Sequence, residues 1–218
     1  MMDMFGDFNF SPRYLKSGLS LPFGLAVVSG VEAESAKHVM ADVKARAMER
    51  IRREGSNIQG RITRFETFFR DHGFKCPLPR QFARVQQDGA LPTVTPFVDA
   101  LLSAEMAHGL LMGVQDRAPL SGGLTYDLAD AGEQYAGMRG PVTCRNNEMV
   151  LRDGQGIVAS YFQGPDKRSA IQSSTRDLVF YAFAAPGIDA SVLDEALADA
   201  CSMFGEAAED AGYRVYPA

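Results

Sequence analysis

The chain has 218 residues, a formal net charge of −5, and 46% hydrophobic and 22% charged residues. This composition is typical of a globular protein and excludes an intrinsically disordered chain; without an apolar window of about 18 residues, a membrane span is excluded as well. The first ten residues carry Asp3 and Asp7 where a secretory signal has basic residues. We therefore expect a cytoplasmic protein, folded as one large domain or two small ones.

Helical periodicity dominates the first half of the chain. After a short buried strand at 21–28, helices are predicted at 32–53, where Gly55 ends the helix, and then at 61–71 and 80–87. The clearest helix covers 96–110 and begins with a proline, which suits a first turn. His108 lies on the apolar face of this helix, so we interpret it as a core histidine rather than a catalytic one.

After Gly109 the period changes to that of β-strands. Turn residues separate the predicted strands, which cover 112–115, 120–126, 148–151, 157–162 and 178–183. A last helix is predicted at 190–211. This order predicts an α+β fold in which one mostly antiparallel sheet, built from 112–183, is flanked by helices.

Motifs of metal, nucleotide and hydrolase sites are absent from the sequence. It contains no Walker loop, no HExxH and no GxSxG. The three cysteines form no CxxC pair, and the three histidines lack the spacing of metal ligands. We expect no metal and no cofactor, and we interpret the cysteines as small buried hydrophobic residues.

Charge is distributed unevenly along the chain. Eight basic residues and only three glutamates lie between Lys44 and Arg70, whereas seven acidic residues and no basic one lie between Asp189 and Asp210. One interpretation is a pair of solvated helix faces of opposite charge. The other is a phosphate-binding patch, in which four arginines would contact RNA. These are Arg46, Arg50, Arg53 and Arg61.

Five short features between 91 and 183 occur in the order of a known family. They are LPTVTPFVD at 91–99, GVQD at 113–116, Gly132-Glu133, EMVLRD at 148–153, and a serine and a threonine (Ser169 and Thr175) before the last strand. In this order and spacing the chain resembles the B3/B4 domain, which edits mischarged tRNA in the β subunit of bacterial phenylalanyl-tRNA synthetase. It resembles a free-standing version, with 1–90 as a helical N-terminal part of the same domain and 91–218 as the B3/B4-like core with its C-terminal helix.

The resemblance implies that tRNA or aminoacyl-tRNA is the partner. If the chain is an enzyme, the resemblance implies an aminoacyl-tRNA deacylase, which hydrolyses an ester with an oriented water molecule and dipoles aimed at the developing oxyanion. By alignment with the family, eight residues line the ligand pocket. They are Met112, Gly113, Gln115, Tyr161, Phe162, Lys167, Ser169 and Thr175.

The sequence departs from the family at three polar positions. The family's asparagine, histidine and tyrosine-recognising glutamate align with Leu102, Gly113 and Lys167. Editing specific for tyrosine is therefore not expected. Two hypotheses remain: trans-editing ester hydrolysis with altered specificity, and a non-catalytic module that binds tRNA, an amino-acid-like small molecule or a protein partner.

Overall fold

The computed structural model describes residues 7–217. The first six residues, which belong to the segment that the sequence predicts not to be a secretory signal, lie outside the described range. The helices are α1 Pro12–Leu15, α2 Ala33–Asp71, α3 Leu78–Asp88, α4 Pro96–His108 and α5 Ala190–Ser202, with a 3-10 turn at Gly205–Ala207. The strands are β1 Asn9–Phe10, β2 Phe23–Ser29, β3 Leu111–Asp116, β4 Thr125–Leu128, β5 Gln134–Gly137, β6 Gly140–Thr143, β7 Met149–Asp153, β8 Gly156–Ser160, β9 Gly164–Pro165, β10 Leu178–Phe183 and β11 Asp210–Tyr216.

The strands form two main sheets and a separate hairpin. One sheet has the order β11-β2-β10-β3 and is antiparallel throughout, whereas the other has the order β1-β4-β7-β8-β9, with only β1 and β4 parallel. Strands β5 and β6 pair with each other. The predicted α+β class is confirmed. The expectation of one sheet from 112–183 is wrong, because β3 and β10 share a sheet with β2 and β11, which lie outside that range, whereas β4, β7 and β8 belong to the other sheet.

The two main sheets pack face to face through aromatic side chains. Phe23 of β2 stacks on Tyr126 of β4 with ring centroids 5.0 Å apart, and Phe183 of β10 contacts Tyr161 at 5.0 Å. Helices α4 and α5 cover the other face of the four-stranded sheet, and α2 packs on α4. One cluster of buried apolar side chains extends from Phe8 to Phe204, so residues on both sides of position 90 share a core. The boundary at 90 stays a prediction.

Helix α2 is continuous where the sequence predicted two helices, at 32–53 and 61–71. The prediction that Gly55 ends the first helix is wrong. A glycine inside a helix costs about 1 kcal/mol relative to alanine, whereas burial of one isoleucine contributes about 1.5–3 kcal/mol. Ile58 and Ile62, both fully buried, continue the apolar stripe beyond the glycine. Packing therefore outweighs the local preference.

Within the described residues, no helix is long and apolar enough to span a bilayer.

The C-terminal segment also differs from the prediction of a helix at 190–211. Helix α5 ends at Ser202, and Gly205 adopts a positive φ of 49° in the short turn that follows. The chain then forms β11, which adds to β2 along seven residues. Pairing satisfies the backbone of 210–216 and also covers an edge of β2 that a helix would leave open.

A partly buried ion pair joins the middle of the chain to α2. Lys44 Nζ lies 2.7 Å from Asp99 Oδ2, with the two side chains 16% and 4% exposed. Asp99 Oδ1 also accepts the Val94 N–H at 2.7 Å, and Lys44 donates to Thr93 Oγ1 at 2.8 Å. Asp99 of the LPTVTPFVD segment therefore fixes the entry to α4 against α2.

We expect Lys44→Met to lower the free energy of unfolding by about 3 kcal/mol, because it leaves the buried Asp99 carboxylate without its charge partner. Urea unfolding measures the change. Lys37→Met on the same helix is the matched control, since Lys37 and its partner Glu34 are exposed and their pair contributes little. Equal midpoints for the two variants would contradict the assignment.

Candidate functional site

A cleft of about 550 Å³ lies between the tip of the β5–β6 hairpin, strand β9 and the end of α2. Its floor is apolar and aromatic and includes Phe69, Leu111, Tyr161 and Phe162. Helix α2 supplies Phe69 from its last turn, and the turn after β8 supplies Tyr161 and Phe162. Distant parts of the chain thus converge on this cleft.

The aromatic floor is held rigidly. Phe162 stacks on Phe74 with centroids 4.7 Å apart and planes 4° apart, and it meets Phe69 edge-on at 5.1 Å. The Tyr161 hydroxyl donates to the carbonyl of Ala184 at 3.1 Å. Behind the floor, the Arg145 guanidinium lies 4.0 Å from the centre of the Phe74 ring and donates to the carbonyl of His72 at 2.9 Å. Aromatic pairs and cation–π contacts of this kind fix ring orientation.

The rim of the cleft is positively charged. Lys75 and Arg139 line it, and no acidic side chain does so among the described residues. Neither cation forms an ion pair with any residue in 7–217. Lys167 is exposed on the loop after β9, which is pinned to the hairpin by its backbone N–H donating to the Ala136 carbonyl at 2.7 Å. The arrangement suits a ligand with a flat or apolar group and a negative charge.

The serine and threonine hydroxyls of the predicted pocket are engaged elsewhere. Ser169 Oγ donates to the carboxylate of Asp166, and Thr175 Oγ1 donates to Asp116 Oδ2 at 2.6 Å. Both residues are buried, and the Asp116 N–H donates to the Ser169 carbonyl at 2.8 Å. Their observed role is to fix loops.

The predicted residues of β3 also lie away from the cleft opening. Gln115 Nε2 donates to the Val158 carbonyl at 3.2 Å and so bridges the two sheets. The backbone of Met112 donates to Glu105 Oε1 at 3.2 Å, and Gly113 is covered by the ring of Tyr181. Of the eight predicted residues, Tyr161 and Phe162 line the cleft. The joint role of all eight in ligand binding stays a prediction.

The four predicted RNA-binding arginines lie along α2, and two of them face acidic partners. Arg50 contacts Glu195 of α5 at 2.6 Å, and Arg53 contacts Glu54 at 2.9 Å. Arg61 Nε donates to the carbonyl of His108 at 2.6 Å, and burial lowers the pKa of its guanidinium. Arg46 is exposed. Phosphate contact by this set stays a prediction.

Two titratable side chains of α4 are buried. His108 is 0% exposed and its Nε2 lies 2.6 Å from Asp199 Oδ2 of α5, as expected of a core histidine. Glu105, which the sequence did not single out, is 5% exposed, and its carboxylate accepts the N–H of Met112, next to the floor residue Leu111. Among the described residues, no group of three histidine, cysteine, aspartate or glutamate side chains is arranged to hold a metal ion.

Comparison with known proteins finds a weak likeness among solved structures. No protein-family model matches the chain, and no curated protein does. Among solved structures, the chain is similar to an N-terminal fragment of the phenylalanyl-tRNA synthetase β subunit from Pyrococcus horikoshii, with 11% sequence identity and a TM-score of 0.45. The match covers 57% of this chain and 43% of that one. The identity is too low to assign any residue of the cleft.

We expect the stability of the protein to fall between pH 4.5 and 8 because of Glu105. Burial raises the pKa of Glu105 from its ordinary value of 4.5 to about 8, although the Met112 N–H opposes this. Within this window the unfolded chain has lost the Glu105 proton and the folded chain keeps it, so the contribution is full below 4.5 and is lost as pH rises.

Glu105→Gln removes this dependence. At pH 9 the variant should exceed the wild type by about 4 kcal/mol in the free energy of unfolding, and near pH 4.5 the two should be equal. Urea unfolding across the range measures the difference. Glu66→Gln, at an exposed position on α2, is the control. Parallel pH curves for Glu105→Gln and the wild type would exclude a buried, protonated Glu105.

Proposed function

We propose that the chain is a B3/B4-like binding module that receives the 3′ end of tRNA, or of aminoacyl-tRNA, without hydrolysing tyrosyl-tRNA. The observation that carries this proposal is the aromatic floor with two cations at its rim, Lys75 and Arg139, which form no ion pair within residues 7–217, in a chain of net charge −5. The order of sequence features from Leu91 to Phe183 supports the family, and the α+β fold is compatible with it.

The chemistry of the cleft matches a terminal nucleotide. A base stacks on an aromatic side chain whatever its identity, and phosphates attract Lys and Arg without sequence preference. A volume of about 550 Å³ is that of a small-molecule site and accommodates one nucleotide or one aminoacyl group, not a duplex. A single-stranded end is therefore the part of an RNA that fits.

Binding is favoured over hydrolysis because free polar groups are scarce. Ester hydrolysis needs a side chain that orients water and donors that meet the oxyanion. Ser169 and Thr175 already bond to aspartates, and Gly113 has no side chain. Leu102, which aligns with the family's asparagine, lines a separate groove of about 360 Å³ between α3 and α4.

We expect the double variant Lys75→Ala/Arg139→Ala to weaken tRNA binding at least about tenfold at low salt. Loss of two phosphate contacts should also flatten the slope of log K against log salt by about 1.5. Filter binding of labelled total tRNA over a salt series measures both. The matched control is Lys16→Ala/Arg80→Ala, which removes two exposed cations away from the cleft.

Two outcomes of this binding experiment would contradict the proposal. If affinity is unchanged in the cleft variant and lost in Arg50→Glu/Arg53→Glu, the RNA contacts α2 and the cleft proposal is wrong. If the wild type binds no tRNA while adenosine monophosphate or a free amino acid binds in the cleft, the ligand is a small molecule and the RNA proposal is wrong.

We expect no hydrolysis of tyrosyl-tRNA above the uncatalysed rate. Each missing polar contact costs roughly 1–3 kcal/mol, and several are missing at once. The assay follows release of labelled tyrosine, with tRNA charged with alanine, aspartate and glutamate alongside. Rapid and selective release of tyrosine would contradict a binding role. Release of an acidic amino acid that disappears in Lys167→Ala would instead support hydrolysis with altered specificity.

A further inference from the structure

A tyrosine ring fills the space above Gly113. Strands β3 and β10 place Gly113 opposite Tyr181, and a Cβ added at Gly113 would lie 2.1 Å from Tyr181 Cζ and 2.2 Å from its hydroxyl oxygen. No side chain fits there while the ring is in place. Tyr181 is only 2% exposed, so the ring belongs to the interior between the two sheets.

The ring lies directly behind the inner wall of the cleft. Gly113 and the floor residue Leu111 are two apart on β3 and face the same way. Opposite Leu111, Phe183 contacts both Tyr181 at 5.3 Å and the floor residue Tyr161 at 5.0 Å. On this side, Phe183 therefore links the Tyr181 ring to the floor of the cleft.

The surroundings of the Tyr181 hydroxyl also include residues that adjoin the cleft. Burial raises the pKa of the Tyr181 hydroxyl, and Tyr135, Asp166 and Glu105 in its surroundings raise it further. The Tyr135 hydroxyl donates to the carbonyl of Gly164 at 2.7 Å, and Gly164 lines the cleft. Asp166 directly follows Pro165, another lining residue. Tyr161, which is linked to Tyr181 through Phe183, and Gly164, which is bonded to Tyr135, both line the cleft.

We propose that Tyr181 determines the specificity of the cleft by filling, with its own phenol ring, an inner pocket that would otherwise open from the floor. The inference rests on the proposed function of the cleft as a ligand site. With the ring in place, a ligand binds above Tyr161 and Phe162, and any ligand that needs a deeper aromatic subsite is rejected. Gly113 is the residue that makes room for this internal occupant.

Removal of the ring should create a pocket with a defined preference. A cavity with apolar walls binds small aromatic molecules of the right shape. A phenol would replace the missing ring, with its hydroxyl near Tyr135 and Asp166. On this proposal the pocket left by the ring is continuous with the cleft, so a larger phenolic ligand should fit, with its polar part in the cleft.

The probe is N-acetyltyrosinamide, together with 4-fluorophenol followed by fluorine NMR. Tyr181→Ala should bind both in the millimolar range, at least about tenfold more tightly than the wild type or Tyr181→Phe. Phe180→Ala is the matched control, because Phe180 is the next residue on β10 and packs toward Phe204 on the helix side of the sheet. That closed cavity should exclude N-acetyltyrosinamide. Folded Tyr181→Ala without affinity for N-acetyltyrosinamide would overturn the proposal.

A second measurement tests the proposal even when Tyr181→Ala folds poorly. Gly113→Ala in the wild type should lower Tm by about 5 °C, because the new methyl group meets the Tyr181 ring. In a Tyr181→Leu background the same substitution should cost little, since the ring is gone. Additive losses would show that the ring does not occupy this space. Neither test uses RNA, so failed tRNA binding would overturn the proposed function alone, and failure here would leave that function standing.

Discussion

Three buried aspartates hold the loops that border the cleft. Arg168 donates to both carboxylate oxygens of Asp153 at 3.0 Å and contacts Asp166 at 3.2 Å. Asp153 also accepts the N–H of Ser121 at 2.9 Å. Burial alone would raise the pKa of Asp153, but the hydrogen bonds from Arg168 and the backbone outweigh it and lower the pKa. The third aspartate, Asp116, accepts a hydrogen bond from Thr175. Together the three carboxylates hold the chain on either side of β9, and they thereby hold the wall of the cleft in place.

The long helix α2 supplies the opposite wall. Near its start, Lys44 is tied to Asp99, and at its end Phe69 reaches the floor of the cleft. A break at Gly55 would uncouple these two ends. The continuous helix therefore supports the site as well as the core. It fixes the position of the start of α4 relative to the turn after β8, because these segments pack against its two ends.

The sequence predicted those parts of the fold that its local pattern controls. The apolar runs of β3, β8 and β10 are buried on both faces, so they stood out as strands, and α4 showed a clear helical start at Pro96. The β5–β6 hairpin was missed because QYAG and GPVT are short and rich in small residues. The C-terminal strand was missed because 210–216 follows a helical pattern and becomes a strand only by pairing with β2.

The candidate site was harder to predict for a related reason. Tyr161 and Phe162 were predicted as site residues by alignment with the family. Lys75 and Arg139 are 64 residues apart in sequence and line the same cleft only in the folded chain. Thr175 looked available because its partner Asp116 lies 59 residues away in sequence. Arg145 had no local signal, yet its contacts with Phe74 and the end of α2 join the helix terminus to the floor. As a result, fraying of the last helical turn would break the contact that holds Phe74, the ring on which the floor residue Phe162 stacks.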